Sequence, residues 1–429
     1  MSFNLTRRNF IAGTSMLALA GMAGIRGALA QESRLRLSWW GNAERADRTN
    51  SIIDLFKAAN PGIEIDGQSL PGGGDYWTWL ATQTAGGNPP DVIQMDYRYI
   101  FEYAGRDVLL PLDDLIASTI DLSNWPDDRI GVGRVDGKVY GISLGANTGG
   151  LILNQTAWDE AGVAAPQIGT NWEEFAQLSA ELTSKTPRKD FYGTQDASGH
   201  EVSFETYLRQ RGKAQYAPEG GLGFEVEDAV AWFTMWSDMR KSGACVPADV
   251  QALSQGNVDT SLVTTGKAAS GIAQSNQLVA YQKANTDQLG MVSLPVLEGG
   301  QPGQYLKPSM YFSLSSKVAN PELAGQFLNF FLNDPEAMNI LGVERGAPED
   351  PKTREAILPS LDAPSQAALS YLDSIAALIG PLPPAPPQGA GEATTVLGTV
   401  SEEVAFEAKS VEQGAADLHA GMAEALARA

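Results

Sequence analysis

The chain has 429 residues, room for two domains with their own cores, and its 51 acidic and 30 basic residues give a formal charge of −21 at neutral pH. That balance excludes nucleic acid and anionic lipid surfaces as partners; a solvated acidic surface accounts for it. The single cysteine, Cys245, excludes an intramolecular disulfide, and two histidines far apart, His200 and His419, do not assemble a transition-metal site, so neither a metal nor a cofactor is expected.

Residues 1–30 hold three arginines and no acid, with Thr6-Arg7-Arg8-Asn9-Phe10-Ile11 before an apolar run to Ile25 and Ala28-Leu29-Ala30 after it. This is the pattern of a cleavable export signal of the twin-arginine type, so the mature chain is expected in the periplasm. Its removal leaves 27 basic residues against 51 acidic ones, a charge near −24. No later segment approaches the roughly 18 continuous apolar residues of a membrane span, and no membrane insertion is expected.

A strand is predicted over Leu35–Trp39, followed by a helix with Asn42 as its cap and Ile52, Ile53, Phe56 and Ala59 on one face, ended by Asn60-Pro61-Gly62. Ile63–Ile65 reads as a strand, Tyr76–Thr84 as a helix and Asp91–Met95 as a strand, an alternation that predicts a parallel sheet covered by helices. Pro71-Gly72-Gly73-Gly74-Asp75 lacks the lysine and hydroxyl of a phosphate loop and reads as a turn. Asp136-Gly137 is a hairpin signal, and Gly150–Leu153 a short buried strand. Helices are predicted at Trp172–Leu182, Val226–Lys241 and Pro321–Leu332, the last capped by Asn320, and strands at Ala268–Ala273, Leu289–Leu294 and Met310–Leu314. Cys245, after an apparent helix end, reads as a small apolar residue. The proline-rich run Gly380–Pro387 reads as a stiff connector.

Gly141-Ile142-Ser143-Leu144-Gly145 matches the spacing of a nucleophile elbow, which needs a strand before the serine and a helix directly after it. The residues that follow offer another strand, and no histidine is placed as base. The acid pairs Asp113-Asp114 and Asp127-Asp128 lie in turn-like sequence, where caps and solvated loops are the usual reading. The chain is therefore not expected to be an enzyme.

Several segments together resemble the extracellular solute-binding proteins of ABC importers, in the branch with maltose-binding protein and other sugar binders. They are Gly87-Asn88-Pro89-Pro90-Asp91-Val92-Ile93, Leu109–Leu115, Asp136-Gly137-Lys138-Val139-Tyr140-Gly141-Ile142 and Leu153-Asn154. Asp159-Glu160-Ala161-Gly162, Trp172-Glu173-Glu174-Phe175, Gly266-Lys267-Ala268-Ala269 and Pro321-Glu322-Leu323-Ala324 continue the series in order. The resemblance implies an α/β, two-lobed periplasmic-binding-protein fold with crossing hinge strands and a ligand cleft between the lobes. It implies an N-terminal lobe of residues 31–145 and 312–362 and a C-terminal lobe of residues 146–311 and 363–429, with crossings near Gly145, Met310 and Pro359. It implies capture of a sugar or small oligosaccharide by hinge closure, delivery to the permease subunits of an importer, and a monomer. A polyamine, a metal complex or glycerol phosphate on the same fold, or a periplasmic hydrolase, are the alternatives.

In open parallel sheets ligands lie beyond the carboxyl ends of strands, and Trp39-Trp40-Gly41-Asn42 is the first such end. Trp39, in register with Leu35 and Leu37, is expected in the core; Trp40 is expected to stack on a pyranose face, with Asn42 and Gln94 as amide partners for hydroxyls. Asp96, Tyr97 and Arg98 occupy the next strand end. Asn147 and Thr148 follow the first crossing. Gln274 and Asn276 stand where relatives often carry a tryptophan, a departure that argues against a maltodextrin. Asp96, Tyr97, Arg98, Asn147, Thr148, Gln274 and Asn276, with Lys307, Tyr311, Arg345 and Glu392, are the ligand contacts that the resemblance implies.

Overall fold

The computed structural model describes residues 33–70, 74–97, 99–384 and 386–428. The export signal, Pro71-Gly72-Gly73 and Arg98 lie outside the described residues. The chain divides into two compact units. One runs to Leu144 and takes in Met310–Leu341 and Asp350–Thr353; the other holds Gly145–Ser309, Gly342–Glu349 and Arg354–Ala429.

The strands in chain order are β1 (Arg34–Trp40), β2 (Glu64–Leu70), β3 (Val92–Met95), β4 (Arg134–Val135), β5 (Lys138–Val139) and β6 (Ile142–Ser143). They continue with β7 (Ala146–Asn147), β8 (Gly149–Asn154), β9 (Ser270–Gln274), β10 (Leu289–Val292), β11 (Lys307–Pro308) and β12 (Tyr311–Leu314).

The first unit is built on a sheet of order β2-β1-β3-β12-β6. β1 is parallel to β2 and β3, as the alternation predicts, but β12 is antiparallel to both β3 and β6, so the sheet is mixed. The alternation sets only the first three strands, because β12 reaches the sheet from a distant part of the chain. Leu35, Leu37 and Trp39 alternate inward from β1 and are buried, and Phe56 meets Phe327 and Phe330 edge-on at 5.3 and 5.2 Å. The Asp-Gly hairpin is present between β4 and β5, with Asp136 and Gly137 at φ 49° and 83°.

The second unit carries the antiparallel sheet β10-β8-β9 and the short pair β11-β7. Its core is aromatic: Trp172, Trp232 and Trp236 lie 5.6–6.1 Å apart in edge-on pairs, and Cys245 is buried with its thiol pushed well up by burial. The chain changes unit at Leu144/Gly145 and Ser309/Met310, and then three times between Leu341 and Arg354. Pro359, where the third crossing was expected, sits inside the 3₁₀ turn Leu358–Ser360 within the second unit. Ala347 bridges Ala146 and packs with Leu369 and Leu372, which draws Gly342–Glu349 into that unit.

Candidate functional site

In the first unit the parallel β1 and β3 end on the same side, which brings Trp40 and the residues after Met95 together. The helix Gly74–Ala85 adds Tyr76 and Trp77. The ring of half-buried Trp40 lies 5.1 Å from Tyr76 and 5.3 Å from Trp77, and Trp77 lies 4.0 Å from Tyr99 with the planes 32° apart. Trp40, Trp77 and Tyr99 thus form one row of partly exposed rings. Buried Tyr76 anchors it: its hydroxyl donates to the Gln94 carbonyl at 2.8 Å, lies 3.2 Å from Ser38 Oγ, and is pushed well up by burial.

The other expected contacts in this unit have structural duties. Trp39 is fully buried, as expected. Gln94 is also fully buried, and its Nε2 donates to the Trp40 carbonyl at 3.1 Å, which fixes the end of β1. Asn42 is exposed, and its Oδ1 accepts from the Arg45 backbone at 2.9 Å as the cap of the helix Ala43–Ala59. Tyr97 packs edge-on to Phe101 at 5.5 Å. Tyr311 is in the core with its hydroxyl donating to the Val132 carbonyl at 2.7 Å. Asp96 is half-buried, and its carbonyl receives the amides of Tyr99 and Ile100 at the start of the helix Ile100–Gly105.

In the second unit Asn147 on β7 is the register partner of Lys307 on β11. The backbone N–H of Thr148 donates to Ser275 Oγ at 3.3 Å, and Ser275 Oγ donates to Asn147 Oδ1 at 3.4 Å. Gln274 and Gln277 cap each other's ends of the turn Ser275–Gln277, with half-buried Asn276 between them. Beside Lys307, Tyr305 donates to Glu205 Oε2 at 2.6 Å, and burial raises the Glu205 carboxyl. Asn147, Thr148, Gln274, Asn276 and Lys307 therefore gather around one strand end. Arg345 is fully buried with its guanidinium 3.7 Å from Glu344, and exposed Glu392 pairs with Arg428 at 2.6 Å, so both lie apart from this group.

Trp77, Tyr99, Glu205, Ser275 and Tyr305 stand at these two places without being among the expected contacts. For Trp77 a signal exists: Tyr76 and Trp79, three apart, share one face of the helix and Trp77 lies off it, so Trp77 does not pack inward with them. Glu205 and Tyr305 are brought together across 100 positions by tertiary folding alone.

Ser143 is buried in β6 and is followed by β7, not by the helix a nucleophile elbow needs. Ser143 lies in the first unit and both histidines in the second. Among the described residues no group of acids, histidines and cysteines could hold a metal ion, and no helix is long and apolar enough to cross a membrane.

Residues 51–346 match the family model described as bacterial extracellular solute-binding protein. The chain belongs to that family. A multiple sugar-binding protein of Streptococcus mutans is 27% identical over 187 residues, covering 41% of this chain and 40% of that protein, less than half the relative's own length. An extracellular solute-binding protein family 1 structure from Alicyclobacillus acidocaldarius is 28% identical, covers 92% of this chain and 98% of its own, and superposes with a TM-score of 0.78. A periplasmic oligogalacturonide binding protein from Yersinia enterocolitica, solved with saturated digalacturonic acid, shares the fold at 19% identity and a TM-score of 0.77, covering 92% and 99% of the two chains. The fold is the α/β fold of these solute-binding proteins.

Proposed function

We propose that this solute-binding protein is the periplasmic, substrate-binding component of an ABC importer, and that it captures a neutral sugar or small oligosaccharide and hands it unchanged to the permease. The row Trp40, Trp77 and Tyr99 carries the reading, since aromatic faces lie well against the C–H faces of pyranose rings while amides and hydroxyls meet the sugar oxygens. Asn147, Thr148, Gln274 and Asn276 supply the polar partners. The multiple sugar-binding relative supports the same ligand class. On this reading the two units are lobes joined by hinges, and ligand shifts the population toward a closed form because only that form engages both. No catalytic step is involved. Export follows the twin-arginine signal, and the protein works as a monomer.

Thermal melts of the mature protein against neutral mono- and oligosaccharides, sugar acids, polyamines and glycerol phosphate test this, because a ligand that binds only the folded state raises the melting temperature. A rise with a neutral saccharide is the expected outcome. Stabilisation by a polyamine or glycerol phosphate alone would replace it with another solute.

A further inference from the structure

A cavity of about 350 Å³ in the second unit begins at Gln274 and runs to the helix Ala248–Gln251 and the end of the helix Ala390–Ala405. Gln195, Gln251, Gln274 and Gln277 all line it. The side-chain oxygens of Gln251 and Gln277 accept from the backbone N–H groups of Asp196 and Gln274 at 3.0 and 2.8 Å, which leaves their NH₂ groups as donors. Ser401 Oγ and His200 Nδ1 are buried beside the cavity with no hydrogen-bond partner among the described residues, a cost that a ligand or water hydroxyl would relieve. The cavity holds no cation for an acid sugar: Arg240 is engaged by Asp196, and burial keeps His200 neutral, with its pKa near 4.

Its rim is apolar. Phe406, 54% exposed, lines the cavity, and Leu253, 60% exposed, stands between the lining residues Ala252 and Ser254. Gly398 also lines it, and a Cβ there would meet nothing within 4 Å. Glycine inside a helix is unfavourable, and here its missing side chain leaves the space open.

We propose that this cavity is a secondary subsite for one ring of a neutral sugar, with Phe406 against its C–H face and the glutamine amides on its hydroxyls. Its volume falls at the lower end of the roughly 300–1,000 Å³ of small-ligand sites. The inference rests on the sugar-binding reading and deepens it: a ligand that reaches from Asn147 and Thr148 past Gln274 into this cavity has more than one ring.

Fluorine NMR of the mature protein with para-fluorophenylalanine in place of Phe406 tests it, with glucose, galactose and xylose as neutral probes and galacturonate as the anionic one. A saturable shift with at least one neutral sugar and none with galacturonate is expected, and Gly398→Leu, which fills the cavity, should abolish it without lowering the melting temperature. Ser401→Val supplies the same comparison if Gly398→Leu does not fold. No shift with any neutral sugar, or a shift that survives both substitutions, overturns the subsite. A sugar that raises the melting temperature but leaves the fluorine resonance in place ends the subsite and keeps the solute-binding reading, whereas no response in either signal ends both.

Discussion

Adjacent tryptophans on one strand have opposite surroundings, because successive side chains of a strand point to opposite faces. Trp39 is fully buried with its ring against Gly67, where a Cβ would come within 2.9 Å of it. Trp39→Ala should therefore cost about 3–5 kcal/mol of stability. Trp40→Ala should leave the melting temperature nearly unchanged and weaken sugar binding roughly tenfold, the loss of one stacking surface worth about 1–2 kcal/mol. Melts and calorimetric titrations of both variants check the contrast. His200 gives a second residue-level prediction. Burial lowers its pKa from 6.5 to about 4, so between those values the unfolded chain takes up a proton that the folded one refuses, and stability falls as the pH falls. His200→Gln should remove that contribution, read as the difference between the melts of the two proteins across pH 6.5 to 4, because the raised carboxyls of Glu205 and Asp91 add a slope of opposite sign in both.

At the level of elements, Asn42 separates a cap from a ligand contact. Its side chain closes the first turn of the helix Ala43–Ala59, so Asn42→Ala should lower stability by about 1 kcal/mol and Asn42→Asp should restore it, with sugar affinity following neither change; melts and titrations of the pair decide this. Elements whose signals are local were legible in the sequence: the Asp136-Gly137 hairpin, the helix Val226–Lys241, and Asn320 capping the helix Pro321–Asn333 through the Leu323 N–H. The helices Ala363–Ser374 and Ala390–Ala405 were not: their buried Leu369, Tyr371, Leu372, Leu397, Val400 and Val404 are interspersed with buried Ala and Ser, which weakens the apolar contrast between the faces. The latter packs closely against the helix Val411–Arg428, where a Cβ on Gly414 would come within 2.2 Å of Val404. That contact is written in the partner's shape and not in periodicity. The same distinction runs through the site. Trp40 stands at a strand end that alternation locates, whereas Arg345 and Tyr311 look available in sequence and are buried by contacts from remote segments.

For the whole molecule, 51 acidic residues against 30 basic ones give no general attraction for anionic solutes, and the candidate residues are mainly rings in the first unit and amides and hydroxyls in the second. Affinity built on such groups changes little with salt, since few fixed charges exchange partners on binding. The family's fold supplies the frame for capture, and β7, not a helix, follows Ser143, so that serine does not sit on a nucleophile elbow. Calorimetric titration of the mature protein with the saccharide that most raises its melting temperature, at low and high salt, followed by chromatography of the recovered sugar, tests the central claim most directly. One-to-one binding, an affinity nearly independent of salt and a sugar recovered intact are the predicted result; a strong loss of affinity in salt, or recovery of a cleaved sugar, would contradict it.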